Sequence, residues 1–229
     1  MKGRVEASPD GGGTVRAPTY YEGHVAPDVN VSGDECLHTR LYTYRTEKGL
    51  VAGWTMSVIF TIDRSPREVW PYLKDFNLWQ PGHYYSGVVG DLEGQIYTSS
   101  YKPNDSQSEY RRQVLRVIPE HVIVSTGLVP PEGTGWPGLP GVGGVSPSFS
   151  LFLLTEHGGK TIVNVFMEHA AHASRAPEIT VQEALAPWQD EKISQEWQRK
   201  WREDFIPALK TLVYQAHPTC NRDQTATME

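Results

Sequence analysis

The chain has 229 residues, a formal net charge of −6 and a hydrophobic fraction of 38%, with 7 Trp and 11 Tyr. This length and composition predict one folded domain with decorations and exclude a disordered chain. The acidic balance disfavours nucleic acid as a partner, and no apolar stretch reaches the roughly 20 residues that span a bilayer, so no membrane association is expected.

Cysteine usage and the first residues bear on the cellular location. The segment MKGRVEASPDGGG has no apolar stretch of the kind found in export signals, and Cys36 and Cys220 show no metal-binding spacing. We therefore expect a cytoplasmic protein with two independent thiols. No dinucleotide fingerprint, phosphate-binding loop or Ser-His-Asp elbow occurs, so we expect no cofactor.

The chain divides into an arm, a domain and a tail. Residues 1–34 are rich in Gly, Pro, Asp and Ser, which predicts an extended or partly disordered arm. The domain covers residues 35–217 and begins with an added hairpin whose tip lies near Gly49. Residues 218–229 are polar and predict a loose tail.

The second hairpin strand leads into a helix. Four apolar residues at spacing two share a buried face of this strand: Met56, Val58, Phe60 and Ile62. Ser65, Pro66 and Glu68 then form a capping-box signature, which predicts a helix over residues 66–76. Residues 77–85 are interrupted by Pro and Gly and predict a second short helix or an irregular turn.

A run of antiparallel strands follows, broken by one long loop. Strands are predicted at residues 94–101, 110–118, 121–128, 149–156 and 160–170. Between them, residues 129–147 are dominated by Gly and Pro and cannot form a regular strand or helix. This loop is either a flap over a binding site, with Trp136 as a contact residue, or a plain hairpin loop.

The C-terminal part is helical. Thr180 and Glu183 give a second capping-box signature, and Pro207 predicts a bend. Large apolar residues recur at spacing three or four along this helix: Ile193, Trp197, Trp201, Phe205, Leu209 and Leu212. Such a stripe is expected from core packing alone, but Trp197, Trp201 and Phe205 could also line a ligand site along one edge.

Two segments carry a resemblance to a known family. The segment TIDRSPREVWPYLKDFNLWQPGH combines a strand end, a Pro-Glu-Val-Trp helix and an aspartate before a Trp-containing second helix, and TEHGGKTIVNVFMEH forms a late hairpin. Together with the element order, they resemble the START/Bet v 1-like (SRPBCC) superfamily, including its polyketide cyclase/dehydrase branch. The similarity covers roughly residues 54–215.

The resemblance implies an α+β helix-grip fold, in which a curved antiparallel sheet surrounds a long C-terminal helix and an internal cavity. It also implies a hydrophobic or aromatic small molecule as the partner. The superfamily includes binders, cyclases, lyases and hydrolases, so the fold leaves the chemistry open. The added N-terminal hairpin is compatible with a homodimer.

The last strand supplies the first candidate catalyst. Strand alternation places Met167 and His169 on one apolar face and His172 on the other. A histidine in an apolar cavity could move a proton on a phenol or carbonyl, and the alternative is a hydrogen-bonded residue at the sheet margin. A zinc site would need help from His83 or Glu156, and we expect no metal.

The segment before the strands supplies further candidates. His83 and Tyr85 could take part in acid/base catalysis near the mouth of a cavity, while Trp79 and Tyr84 could contact a flat ligand. The alternative role of Trp79 is simply to anchor the second short helix.

Polar and aromatic strand residues form the last group. Tyr97 and Tyr101 share one face of their strand, and Tyr110 and Arg112 share a face of the next. Either row could face inward, where Arg112 would hold a carboxylate or enolate, or outward into solvent.

Three functions remain after these considerations. We favour a cofactor-independent enzyme of the cyclase, dehydratase or lyase type that acts on an aromatic or polyketide-like molecule by acid/base catalysis. The alternatives are a carrier of a hydrophobic metabolite and a metal-dependent C–C hydrolase of the same fold.

Overall fold

The computed structural model describes residues 19–21, 35–46, 49–103, 110–128, 149–174, 180–186 and 191–218. For residues 19–21, 45, 46, 49, 110, 169–174, 184 and 191–194 it describes the backbone alone. The predicted loop over residues 129–147 and the tail from residue 219 onwards lie outside these ranges.

The described strands form one antiparallel sheet. They are β1 (Thr19–Tyr21), β2 (Cys36–Thr46), β3 (Gly49–Ile62), β4 (Tyr84–Tyr85), β5 (Ile96–Ser100), β6 (Tyr110–Ile118), β7 (Val122–Gly127), β8 (Phe149–His157) and β9 (Lys160–Ser174). Their order across the sheet is β1-β2-β3-β9-β8-β7-β6-β5-β4. β1 lies within the segment that the sequence predicts as an arm, and it pairs with β2.

The N-terminal hairpin and the last strand form one wall of the core. The side chains of Met56, Val58, Phe60 and Ile62 are fully buried, as their spacing predicts. β3 pairs with β9 over residues 51–62, and β9 extends beyond residue 170, where the sequence predicts its end. Gly158 and Gly159 join β8 to β9 with φ angles of 61° and 77°, a conformation that glycine adopts without strain.

Two short helices follow β3. Helix α1 (Pro66–Leu73) begins after Ser65, whose backbone N–H and hydroxyl both donate to the Glu68 carboxylate, at 2.9 and 2.7 Å. It ends before residue 76 because Asp75 caps a separate turn, α2 (Phe76–Trp79), by accepting a hydrogen bond from the Asn77 N–H at 3.2 Å. The chain then reverses at Gly82 to enter β4, a strand that the sequence does not predict.

The C-terminal helical region consists of four consecutive parts. They are α3 (Val181–Leu185), α4 (Glu191–Arg199), a π-helical segment (Lys200–Phe205) and α5 (Ile206–Ala216). The bend at Pro207 stays a prediction, and the structure shows a π-helical segment that ends just before Ile206 and Pro207. Pro207 has no N–H, and the N–H of Ile206 reaches back five residues to the Trp201 carbonyl.

The C-terminal helix packs on one face of the sheet. Trp201, Phe205, Leu209 and Val213 lie in the same buried cluster as the inward residues of β3, β8 and β9. The predicted helix-grip fold, with its antiparallel sheet and long C-terminal helix, is therefore confirmed. Within the described residues, no helix is both long and apolar enough to cross a membrane.

Candidate functional site

His83 lies at the junction of α2, β4 and the C-terminal helix. Its backbone N–H donates to the Gln80 carbonyl at 3.1 Å, which fixes the turn that follows α2. Its imidazole is surrounded by aromatic rings whose centroids lie 5.0 to 6.5 Å away: Tyr85, Tyr101, Trp197 and Phe205. Only 9% of His83 is exposed.

The imidazole of His83 has unusual electrostatics. Neither ring nitrogen makes a hydrogen bond of ordinary geometry with the described residues. Burial and, to a smaller extent, the positive charge of Lys200 lower the pKa of His83, and the nearby Pro81 carbonyl opposes them, so that the pKa is about 4. His83 is therefore neutral at physiological pH, with one donor and one acceptor nitrogen available to a ligand.

Lys200 lies beside this ring of aromatic groups. Its ammonium is 5.8 Å from the centroid of Tyr101 and 5.5 Å from that of Trp197, within the range of cation–π attraction. The Glu196 carboxylate is 3.8 Å from the same ammonium. A positive charge thus lies at the margin of the His83 environment.

Tyr85 is held firmly next to His83. The Asn77 side chain accepts from the Tyr85 N–H at 3.0 Å and donates to the Tyr85 carbonyl at 3.2 Å. The Tyr85 hydroxyl donates to Gln80 Oε1 at 2.5 Å. Burial raises the pKa of Tyr85 well above its usual range, the nearby Tyr97 raises it further, and Arg112 partly offsets this. Tyr85 is therefore a neutral hydrogen-bond donor.

Arg112 enters the interior from β6 and organises three hydroxyl groups. Its Nε donates to the Tyr97 hydroxyl at 3.1 Å, and its Nη2 donates to Ser125 Oγ at 3.3 Å and to Ser150 Oγ. Tyr97 in turn donates to Ser125 Oγ at 3.2 Å. Tyr97 and Arg112 lie directly opposite each other in the β5–β6 ladder, so their side chains share one face of the sheet. Since Tyr97 is buried, the row that contains Tyr97 and the row that contains Arg112 both face inward at this pair.

Tyr101 links the polar network to the His83 environment. Although 42% of Tyr101 is exposed, protein groups crowd its hydroxyl, and this partial burial raises the pKa of Tyr101, while the positive charge of Arg112 lowers it. The structure thus brings together seven residues that the sequence analysis selected: His83, Tyr85, Tyr97, Tyr101, Arg112, Trp197 and Phe205.

The large aromatic residues of the core pack directly on one another. The ring centroid of Trp79 lies 5.8 Å from that of Trp201 and 6.2 Å from that of Phe205, and all three side chains are almost fully buried. The Trp79 indole N–H donates to the Leu73 carbonyl at 3.1 Å. These contacts anchor α2 against the C-terminal helix, and contact of the three residues with a ligand stays a prediction.

The remaining selected residues are scattered. Tyr84 points away from the cluster and is 43% exposed, whereas Met167 packs at the edge of the core. Residue 110 lies in β6 with its side chain outside the described part, and Trp136 lies outside the described residues altogether.

His169 has a described backbone position only. It lies in β9 opposite Trp54, and His172 lies opposite Val51. The ladder is regular between these positions. Because they are three residues apart, positions 169 and 172 lie on opposite faces of the sheet. Both side chains lie outside the described part of the chain, and the catalytic role of His169 stays a prediction.

Sequence reasoning missed several polar residues of the interior. Ser125 and Ser150 share the inward faces of β7 and β8 with Ile123 and Phe152, so period-two counting from these apolar residues could have found them. Gln198 and Arg202 continue the helical row of the buried Ile206, a signal hidden behind the Trp197–Trp201 stripe. Among the described residues, no group of three His, Cys, Asp or Glu could hold a metal ion.

Comparison with known proteins found no matching family model and no matching curated protein. Solved structures do match. The chain is similar to norcoclaurine synthase from Thalictrum flavum in complex with dopamine and hydroxybenzaldehyde (TM-score 0.46, 15% identity, 72% of this chain and 88% of that one). It is also similar to a protein of unknown function from Staphylococcus aureus (0.47, 9%, 72% and 96%).

A third similar structure is DynU16, described as a putative protein in the dynemicin biosynthetic locus (TM-score 0.42, 16% identity, 71% of this chain and 47% of that one). Identities this low bear on the fold alone. The assignment as a helix-grip protein rests on the strand order and the packing of the C-terminal helix.

Proposed function

We propose that the protein is an enzyme that acts on a small aromatic or polyketide-like molecule between the sheet and the C-terminal helix. The reaction is an acid/base step of the cyclase, dehydratase or lyase type. One observation carries the proposal: His83 is buried among four aromatic rings, and neither of its nitrogens makes a hydrogen bond of ordinary geometry with the described residues. Buried polar groups are normally paired, so a ligand with a polar group and a flat ring would complete this environment.

His83 would act as the proton acceptor. Since it is neutral, its unprotonated nitrogen can take a proton from a phenol, or from a carbon next to a carbonyl. In the second case the electrons of the C–H bond move to the carbonyl oxygen, and an enolate forms. A bound substrate that becomes anionic would also raise the pKa of His83 toward neutrality, because opposite charges stabilise each other.

Tyr85 and Arg112 would stabilise the developing negative charge. Tyr85 stays protonated and can exchange Gln80 for the substrate oxygen as its acceptor. Arg112 supplies a fixed positive potential through its hydroxyl partners, without having to leave them. In this scheme Arg112 is a positioning residue, and a role for His169 as a second proton carrier belongs to the same proposal.

A pair of ligands tests the hydrogen bond to His83. We expect 2-naphthol to bind more tightly than 2-methoxynaphthalene, by about threefold to tenfold, because only the naphthol can donate to the imidazole. The preference should disappear in His83→Phe and persist in His121→Phe, which alters an exposed histidine. Tryptophan fluorescence measures both affinities. Equal affinity of the two ligands for the wild-type protein would count against the site.

Turnover needs a second experiment. Native mass spectrometry of gently purified protein identifies a retained small molecule, which is then incubated with fresh protein without added metal or nucleotide. Chemical change by the wild-type protein, and its loss in His83→Asn and Tyr85→Phe, would support catalysis. An activity that both variants retain in full would exclude the proposed step.

One observation favours a second function, the binding of a hydrophobic metabolite without turnover. A base works best when its pKa is near the operating pH, and the pKa of His83 is about 4 before a ligand binds. A carrier needs only the aromatic surroundings and the hydrogen bond. It would return the retained molecule unchanged in the incubation experiment.

A further inference from the structure

The inner face of the C-terminal helix carries three side chains whose buried nitrogens find no hydrogen-bond partner on the part of the chain that the structure describes. They are Nε2 of Gln198, Nε1 of Trp201, and both Nε and Nη2 of Arg202. Gln198 is 6% exposed and Trp201 only 1%. Every one of these nitrogens is a hydrogen-bond donor, so the missing partner is an acceptor.

The three donors are neighbours on the helix surface. Gln198 and Arg202 are four residues apart, and Trp201 lies between them in sequence, within the π-helical segment. The contrast with Trp79 is instructive, because the two indole rings are only 5.8 Å apart. The N–H of Trp79 is satisfied by Leu73, whereas that of Trp201 is not. Burial in this region therefore does not by itself leave an indole unpaired.

Arg202 defines the kind of acceptor. The Nε and Nη2 groups form one edge of the guanidinium, and their two parallel N–H bonds match the two oxygens of a carboxylate. On the described part of the chain, Arg202 has no ion-pair partner, while its neighbour Arg199 pairs with Glu203 at 3.2 Å on the outer side of the helix. Arg202 as a whole is half-buried, but the buried edge of its guanidinium lacks an acceptor, and a ligand carboxylate would supply one.

We propose that Gln198, Trp201 and Arg202 form a subsite for the carboxylate of an aromatic acid. Trp201 packs edge-to-face on Phe205, whose ring centroid is 5.4 Å from that of His83, so the subsite adjoins the aromatic surroundings of His83. The inference rests on the proposed function for the aromatic part of the ligand. It adds that the ligand carries a carboxylate on the side of the helix.

Benzoate and benzamide form a matched pair of probes, since they differ in the carboxylate alone. We expect titration calorimetry to give at least tenfold tighter binding of benzoate to the wild-type protein. Arg202→Gln should remove that preference, and Arg199→Gln, the control on the outer face, should keep it. Equal binding of the two probes, an unchanged preference in Arg202→Gln, or no benzoate binding in the millimolar range would overturn the proposal.

A second variant covers the case in which Arg202→Gln does not fold. Arg202→Lys keeps the charge but loses the two-donor edge, so benzoate binding should still weaken by about fivefold to tenfold. Wild-type affinity in Arg202→Lys would show that a point charge suffices and would contradict the bidentate site.

The two proposals fail separately. His83→Phe should retain the preference for benzoate over benzamide, and Arg202→Gln should retain the preference for 2-naphthol over its methyl ether. Loss of the carboxylate preference alone removes the subsite and leaves the proposed function standing. Loss of the naphthol preference alone removes the proposed hydrogen bond to His83 and leaves the carboxylate subsite standing.

Discussion

The sheet and the C-terminal helix each carry an arginine with a buried guanidinium edge, and the two groups have very different surroundings. Arg112, on the sheet, donates to Tyr97, Ser125 and Ser150. Arg202, on the helix, buries two nitrogens that have no hydrogen-bond partner among the described residues. A polar group that is satisfied within the chain stabilises the fold, whereas one that is buried and unsatisfied destabilises it until a ligand binds. The sheet side is thus complete in itself, and the helix side is not.

The largest expected effect on the free energy of unfolding follows from removing the Arg112 guanidinium from the sheet side. Arg112→Met removes the donor shared by three hydroxyl groups, and it should lower the free energy of unfolding by about 3 kcal/mol, about 1 kcal/mol for each lost hydrogen bond. Urea unfolding measures the change. Arg111→Met, an exposed neighbour on the same strand, is the control and should stay within about 0.5 kcal/mol of wild type. Equal effects of the two changes would show that the network contributes nothing.

Acid should weaken the fold through His83. Its pKa is about 4 in the folded chain and 6.5 in the unfolded chain, so between these values only the unfolded chain binds the proton. The free energy of unfolding should therefore fall as the pH is lowered from 6.5 to 4, by up to about 3 kcal/mol from this group.

The comparison that isolates His83 is His83→Asn, which should lose this part of the acid sensitivity. His121→Asn, at an exposed position, should keep it. Urea unfolding at a series of pH values provides the measurement. If His83→Asn and wild type follow the same pH dependence, His83 is not buried in its neutral form.

Removing the unpaired guanidinium of the helix side should change the free energy of unfolding in the opposite direction. Arg202→Met replaces a half-buried guanidinium, whose buried edge has no hydrogen-bond partner on the described part of the chain, with an apolar side chain. We expect it to raise the free energy of unfolding by about 1 to 2 kcal/mol, because two unsatisfied donors are removed. Arg199→Met, which breaks an exposed ion pair, should change it by less than about 0.5 kcal/mol. A lower free energy of unfolding in Arg202→Met would mean that the buried nitrogens of Arg202 have hydrogen-bond partners, as those of Arg112 do.

The smallest effect concerns the tyrosine beside His83. Tyr85→Phe leaves Gln80 Oε1 without its donor and should cost about 1 kcal/mol of unfolding free energy. Tyr84→Phe, on the exposed side of the same short strand, should be neutral. A thermal melt distinguishes the two variants, and a Tyr85→Phe protein as stable as Tyr84→Phe would show that the bond to Gln80 is weak.

Local signals made most of the fold predictable. The capping box of Ser65 and Glu68 and the alternation of Met56 to Ile62 each depend on residues close in sequence, and the structure contains both. The two-residue strand β4 was not predictable, because Tyr84 and Tyr85 are too few to show a period. The π-helical segment was also missed, since it differs from an α-helix only in its hydrogen bonding.

The candidate site was predictable in its residue types and not in its pairings. Aromatic and polar residues near His83 could be selected from the sequence, but the pairing of Tyr97 with Arg112 depends on the register of two strands. The unpaired donors of Gln198 and Arg202 were even harder to predict from the sequence. They become visible only when every possible acceptor around them has been placed in space.

The π-helical segment lets the long helix hold one more residue than an α-helix of the same rotation. A π-helical turn contains about one residue more than an α-helical turn, so deleting one residue between 200 and 205 would restore α-helical bonding with little rotation of Trp197 and Gln198 relative to α5. Leu209 and Val213 would keep packing on the sheet. The change would fall on the side chains of the segment itself, so a single insertion or deletion here gives this architecture a simple route to a different ligand while both ends of the helix keep their places.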